Sequence, residues 1–191
     1  MNGLIIVAIA VVVVLVVAAI VWGILQKRRH ERLRERFGPE YEHVVEETGS
    51  RREATKELEA RERRVDELEI RRLTPDEAEG FSSEWQDVQA KFVDNPQLAT
   101  AEADDLVARL MRARSYPVTD FERRAADISV NHAGVVEHYR AAHDIAQRSG
   151  RGEASTEDLR QALIHYRALF DDLLETNADA PRTAERLRRV S

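Results

Sequence analysis

The chain has no cysteine, which removes disulfides, thiolate nucleophiles and cysteine-based zinc sites and fits a reducing compartment. It also lacks a glycine-rich phosphate loop after a strand, a G-x-S-x-G elbow and any paired zinc-ligand motif. No alternating β-branched run reads as a strand. Lysine is scarce, 3 against 26 arginines, a bias that points to a GC-rich genome rather than to guanidinium chemistry. These absences leave no catalytic residue, cofactor or metal to be expected from motif alone, so the reading is of a protein that is not an enzyme.

What is present is a run of 22 residues without a charge, from Leu4 to Leu25, nearly all Val, Ile, Leu or Ala. At about 1.5 Å per residue it reaches roughly 33 Å, enough for a hydrocarbon core of about 30 Å. Trp22 stands where an interfacial aromatic belongs. A cleaved signal peptide is disfavoured, because Met1, Asn2 and Gly3 give no basic start and no A-x-A pattern closes the run. The expectation is a transmembrane anchor. On its C-terminal side stand Lys27, Arg28, Arg29, Arg32, Arg34 and Arg36, with no basic side chain on the other side. The positive-inside rule then places the N-terminus outside and the C-terminal domain in the cytoplasm, with the lipid bilayer as a partner. The same cluster serves as a topology determinant, and it also offers cations to anionic headgroups, diluted by Glu31 and Glu35.

Charge is unevenly distributed behind the anchor. Residues 26–73 carry 14 basic and 13 acidic side chains, residues 74–176 carry 11 and 20, and residues 177–191 carry 4 and 2. The middle segment, at net −9, repels phosphates, so no nucleic acid is expected as a partner.

Gly38 and Pro39 should end the helix leaving the membrane, and a short helix through Tyr41, Val44 and Val45 should end near Gly49. From Ser50 to Leu73 the sequence is almost wholly charged, which reads as a solvated stalk helix reaching Arg72, supported by pairs such as Glu57 with Arg61 and Glu67 with Arg71. Ala54, Leu58, Val65 and Leu68 form an incomplete coiled-coil seam interrupted by Arg61. Together with Ala19 and Gly23, a small-xxx-small pair within the span, it offers contacts for a parallel homodimer.

Five amphipathic helices follow. Thr74-Pro75-Asp76-Glu77 opens the first, which carries Phe81, Trp85, Val88 and Phe92 at spacings of 4, 3 and 4. Asn95-Pro96 opens the second, with Ala99, Ala103, Leu106 and Leu110 on one face. Thr119 with Glu122 is a capping-box spacing for a shorter third helix through Phe121, Ala125 and Ile128, and Asn131 is the expected cap of the fourth, with Val135, Tyr139, Ala142 and Ala146. Ser155 with Asp158 opens the last, whose Leu159, Leu163, Tyr166, Phe170 and Leu173 make the cleanest stripe. The fold expected is therefore all-α, with an anchor (1–25), a basic flank and charged helical stalk (26–73), a helical bundle (74–176) and a tail (177–191).

One internal echo offers a polar site. His138-Tyr139-Arg140-Ala141 recurs as His165-Tyr166-Arg167-Ala168, offset by 27 residues. The tyrosines lie on the apolar stripes and read as core. His138 and His143 lie about 140° apart round a helix, and His165 with Asp172 lies two turns apart, so neither pair alone chelates a metal. If His138, Tyr139, His165 and Tyr166 converge, they would form a ligand-binding or enzymatic site between the last two helices. That is the alternative to a membrane-tethered interaction or scaffold module recruiting an unknown protein partner.

The segments FGPEYEHVVEETGSRREA, ARSYPVTDFERRAADIS and STEDLRQALIHYRALFDDLLE resemble those of a family of small uncharacterised bacterial membrane proteins with one N-terminal span. The resemblance covers nearly the whole chain and implies a single-pass anchor. It assigns no activity, so no residue inherits a role. In topology the chain is also similar to single-pass division and envelope scaffolds with cytoplasmic helical domains.

Overall fold

The computed structural model describes residues 2–117 and 120–175, with side chains from Val14 onward. Among the described residues there are eight helices and no strand, as an all-α chain requires: α1 (Asn2–Phe37), α2 (Pro39–Thr48), α3 (Arg51–Asp66), α4 (Pro75–Lys91), α5 (Pro96–Ala113), α6 (Phe121–Asn131), α7 (Val136–Gly150) and α8 (Thr156–Glu175). Two compact units divide the chain, Met1–Glu59 and Ala60–Ser191, with the division inside α3.

In the first unit, Gly38 breaks α1 from α2 with φ 51°, a left-handed value glycine adopts without a Cβ penalty, and Pro39 begins the next helix. Gly49 closes α2 in the left-handed conformation, its N–H donating to the Val45 carbonyl at 2.9 Å. Leu33 and Phe37 of α1, Tyr41 and Val44 of α2, and Ala54 and Leu58 of α3 are buried. Among the described residues no helix is long and apolar enough to cross a membrane. Residues 4–13 of the expected span lie outside the described side chains.

The charged stalk departs from expectation. α3 ends at Asp66, six residues short of Arg72. Its face at Ala54, Leu58, Arg61 and Val65 is buried, 5 % exposed even at Arg61, so this helix is not solvated all round. The expected coiled-coil seam at Leu58 and Val65 is thus covered within a single chain. Arg71 does not pair back along a helix: its guanidinium grips Glu77 through Nη1 and Nη2 at 2.8 and 2.7 Å, and its backbone N–H donates to the Arg114 carbonyl at 3.1 Å.

The second unit is the helical bundle. Thr74 and Glu77 form a reciprocal capping box, Asn95 caps α5 by accepting from the Leu98 N–H, and Ser155 and Asp158 cap α8 in the same reciprocal way. α8 packs along α7 and α5, and α5 also packs on α4. The buried core draws Trp85 and Val88 from α4, Leu106, Leu110 and Met111 from α5, Tyr139 from α7, and Leu159, Tyr166, Phe170 and Leu173 from α8. Trp85 stacks on Phe170 with ring centroids 4.7 Å apart, and the Arg167 guanidinium lies 5.6 Å over the Trp85 ring.

Two expected caps differ. Thr119 lies outside the described residues, and α6 is capped by Asp120 accepting from the Arg123 N–H at 2.9 Å. Asn131 ends α6 instead of opening α7, which starts without a side-chain cap and buries Val136, Tyr139, Ala142 and Ile145. Tyr139 and Ala142 are buried as expected, and Val136 and Ile145 stand in the core in place of the expected Val135 and Ala146, Val135 being only partly buried.

Candidate functional site

The 27-residue echo places equivalent positions side by side on α7 and α8, but on two different faces. His138 and His165 meet at the surface, Nδ1 to Nδ1 at 2.9 Å with ring centroids 5.0 Å apart. Tyr139 and Tyr166 point the other way, fully buried, with rings edge to face at 6.4 Å. The four residues therefore do not form one site. Among the described residues no group of three or more His, Asp or Glu side chains is placed to hold a metal ion.

The tyrosines belong instead to a polar locus that the sequence did not reveal. Phe121 of α6 stacks on His143 at 3.6 Å and packs against Tyr139 at 4.8 Å, and the Arg124 guanidinium sits 6.0 Å over the Phe121 ring. Burial pushes both phenols well above the ordinary tyrosine range, and the Asp104 carboxylate pushes Tyr166 further in the same direction. Both stay protonated at any physiological pH, so neither serves as a general base. The Tyr139 hydroxyl, Arg124 Nε, His143 Nδ1 and Asp104 Oδ1 are all buried without a formed hydrogen bond, and the Tyr166 hydroxyl lies beside the Asp104 carboxylate. Unsatisfied groups are rare in folded interiors, and their concentration here marks the locus.

A second polar cluster lies around α6 and the end of α8. Asp172, which the sequence aligned with His165, pairs with Nδ1 of His132. His132 itself is 4 % exposed. The buried Arg114 guanidinium donates to the Leu173 carbonyl at 2.8 Å, and Asn131 donates to the Tyr116 hydroxyl at 3.2 Å. Asp127, wholly buried, accepts from Arg64 Nε at 2.8 Å. Carboxylate, imidazole and guanidinium here come from helices up to 63 residues apart in sequence, a separation no spacing rule exposes.

Burial lowers the pKa of His132 despite the opposing pull of Asp172, and burial likewise lowers His143 and, with help from His138, His165. A group whose folded pKa lies below its unfolded value near 6.5 takes up its proton more readily in the unfolded chain. Its stability contribution is complete above that value and shrinks as pH falls below it. The second unit should therefore lose stability between about pH 7 and 5. Urea titrations across that range should show a falling midpoint, with His132→Gln flattening the slope. Glu77 and Glu157, held at about 2 by Arg71 and Arg160, titrate well below this window. A midpoint indifferent to pH over that range would mean that the three imidazoles are hydrated.

In the first unit the basic flank borders a cleft. Lys27, His30, Glu31 and Arg34 on one face of α1, Tyr41 and Glu42 of α2, and Arg51 of α3 enclose about 410 Å³. His30 Nδ1 is hydrogen-bonded to the Thr55 hydroxyl at 2.8 Å and reaches the Tyr41 hydroxyl at 3.4 Å, which fixes the ring among these helices. Arg28, Arg29, Arg32 and Arg36 lie off this face.

No protein-family model, curated protein or solved structure matches the chain.

Proposed function

We propose that the chain is a single-pass membrane protein whose helical second unit works on the cytoplasmic side as an interaction or scaffold module, without catalysis. One observation carries this reading. Nine large apolar side chains between Val14 and Leu25, Trp22 among them, are 49 to 66 % exposed on a single continuous helix. An apolar surface of that extent in water is unfavourable at roughly 25 cal/mol per Å², and a bilayer removes the cost for the whole circumference of the helix at once. The uncharged run extends back to Leu4 within α1, giving the length a span needs. Six basic side chains directly after it support the cytoplasmic placement.

With Leu58 and Val65 covered, self-association would rest on Ala19 and Gly23 within the span, whose close approach suits a helix pair. The ligand-binding or enzymatic alternative is favoured by the unpartnered polar atoms around Tyr139 and Tyr166. Phenols held protonated would serve such a site as hydrogen-bond donors and not as bases.

A reporter fused after Ser191 tests the topology. A fluorescent protein that matures only in the cytoplasm should light up, and alkaline phosphatase at the same position should stay inactive. Active phosphatase would reverse the orientation, and release of the chain from membranes by alkaline carbonate would remove the anchor altogether.

A further inference from the structure

We propose that the cleft beside the basic flank binds the phosphodiester of an anionic lipid headgroup, an inference that rests on the anchor reading and gives the first unit a ligand. The cleft is enclosed by Lys27, His30, Arg34, Tyr41 and Arg51 with Glu31 and Glu42, and its volume of about 410 Å³ suits a small ligand. Depth is the first argument. α1 runs unbroken from the apolar segment into the cleft, so Lys27, His30 and Arg34 stand about 3, 8 and 14 Å beyond Leu25 at 1.5 Å per residue. The headgroup layer on each side of the hydrocarbon is roughly 5 to 8 Å thick, so Lys27 and His30 place the near side of the cleft within it, and Arg34 lines the side facing away from the bilayer.

Charge is the second argument. Glu31 faces Lys27 at 3.8 Å and Glu42 faces Arg34 at 3.2 Å, so these two cations are each balanced in part by a carboxylate. Arg51 has no ion pair among the described residues and leaves the Lys, Arg and Glu side chains of the cleft at net +1. One negative charge is what a phosphodiester carries. Arginine also presents a planar fork matched to two phosphate oxygens. Because Arg51 begins α3, the positive end of that helix dipole stands at the same place and adds to the attraction.

Full-length protein in nanodiscs of phosphatidylcholine containing a minor fraction of phosphatidylglycerol, released into a native mass spectrometer, supplies the test. One phosphatidylglycerol should be retained in preference to phosphatidylcholine. Replacing Arg34→Gln and Arg51→Gln together should cut that preference by about 25-fold, about fivefold for each cation lost near the surface. Arg29→Gln with Arg52→Gln removes the same charge from the same segment outside the cleft and should cut the preference clearly less than the cleft pair does. Equal losses in the two pairs would reduce the effect to diffuse attraction and overturn the proposal, as would native protein that holds both lipids equally. Displacement by excess inorganic phosphate would assign the cleft to a soluble anion instead. Flotation on pure phosphatidylcholine vesicles separates the two claims: a chain that floats without lipid preference sinks this proposal alone, whereas one that does not float sinks the anchor as well.

Discussion

Phe170→Ala should cost the second unit about 3–5 kcal/mol, the range for removing a buried aromatic ring that its neighbours cannot collapse to fill. Phe170 is 1 % exposed at the middle of α8 and stacks on Trp85 across the α4–α8 contact. The loss therefore combines burial, cavity and ring stacking. Against a typical domain stability of about 5–15 kcal/mol, it removes a large share of the total. Denaturant unfolding followed by circular dichroism should give the midpoint shift, and Phe170→Leu, which keeps much of the volume, should cost considerably less. A change under about 1 kcal/mol for the alanine variant would show that this face gives way without a cavity, contrary to close packing. Trp85 reports independently, since loss of its stacking partner should move its emission to the red as water reaches the ring.

The stripe carrying Phe170 was readable in the sequence because α8 obeys one rule throughout: a capping box at Ser155 and Asp158, then apolar residues at helical spacing on a face that is buried. α4 and α5 were readable for the same reason, from Thr74 and Asn95 onward. α3 was not. Its composition is that of a solvated helix, yet Arg61 and Glu62 are buried at 5 and 7 % exposure beside Leu58 and Val65. A long charged side chain can lay its stem over apolar neighbours, so charge in the sequence did not translate into exposure.

The polar sites divide in the same way. The His138–His165 and Tyr139–Tyr166 pairs were visible as a repeat, because two helices packed side by side bring equivalent positions together. Which face each pair occupied depended on helix rotation, and that placed the imidazoles at the surface and the phenols inside. Asp104, Arg124 and His143 each sit on a different helix and assemble only through the packing of α5, α6 and α7. His132 takes Asp172 from a helix 40 residues on, a pairing set by where α6 ends against α8.

The other large effect is expected at Arg64. Its Nε donates to Asp127 at 2.8 Å, and the Asp127 side chain is 1 % exposed while that of Arg64 is 28 % exposed. Desolvating a carboxylate is tolerated only with a partner, so removing the cation strands a buried charge. Arg64→Ala should therefore destabilise the second unit by about 3–5 kcal/mol, more than a surface ion pair is worth. Asp127→Asn should cost less, because an amide of the same shape still accepts from Arg64 while carrying no charge to desolvate. Replacing both by apolar residues, Arg64→Met with Asp127→Leu, should recover most of the loss, since a well-packed apolar pair commonly matches a buried ion pair in stability. The same logic fixes where the bundle starts. A chain beginning at Leu73 keeps every apolar stripe of α4 to α8 but leaves Asp127 without Arg64, so it should unfold at lower denaturant than one beginning at Ala60. Adding Asp127→Asn to the shorter chain should close much of that gap. If the two chains unfold together, or if Arg64→Ala costs under about 1 kcal/mol, water reaches the carboxylate and the end of α3 contributes nothing to the bundle.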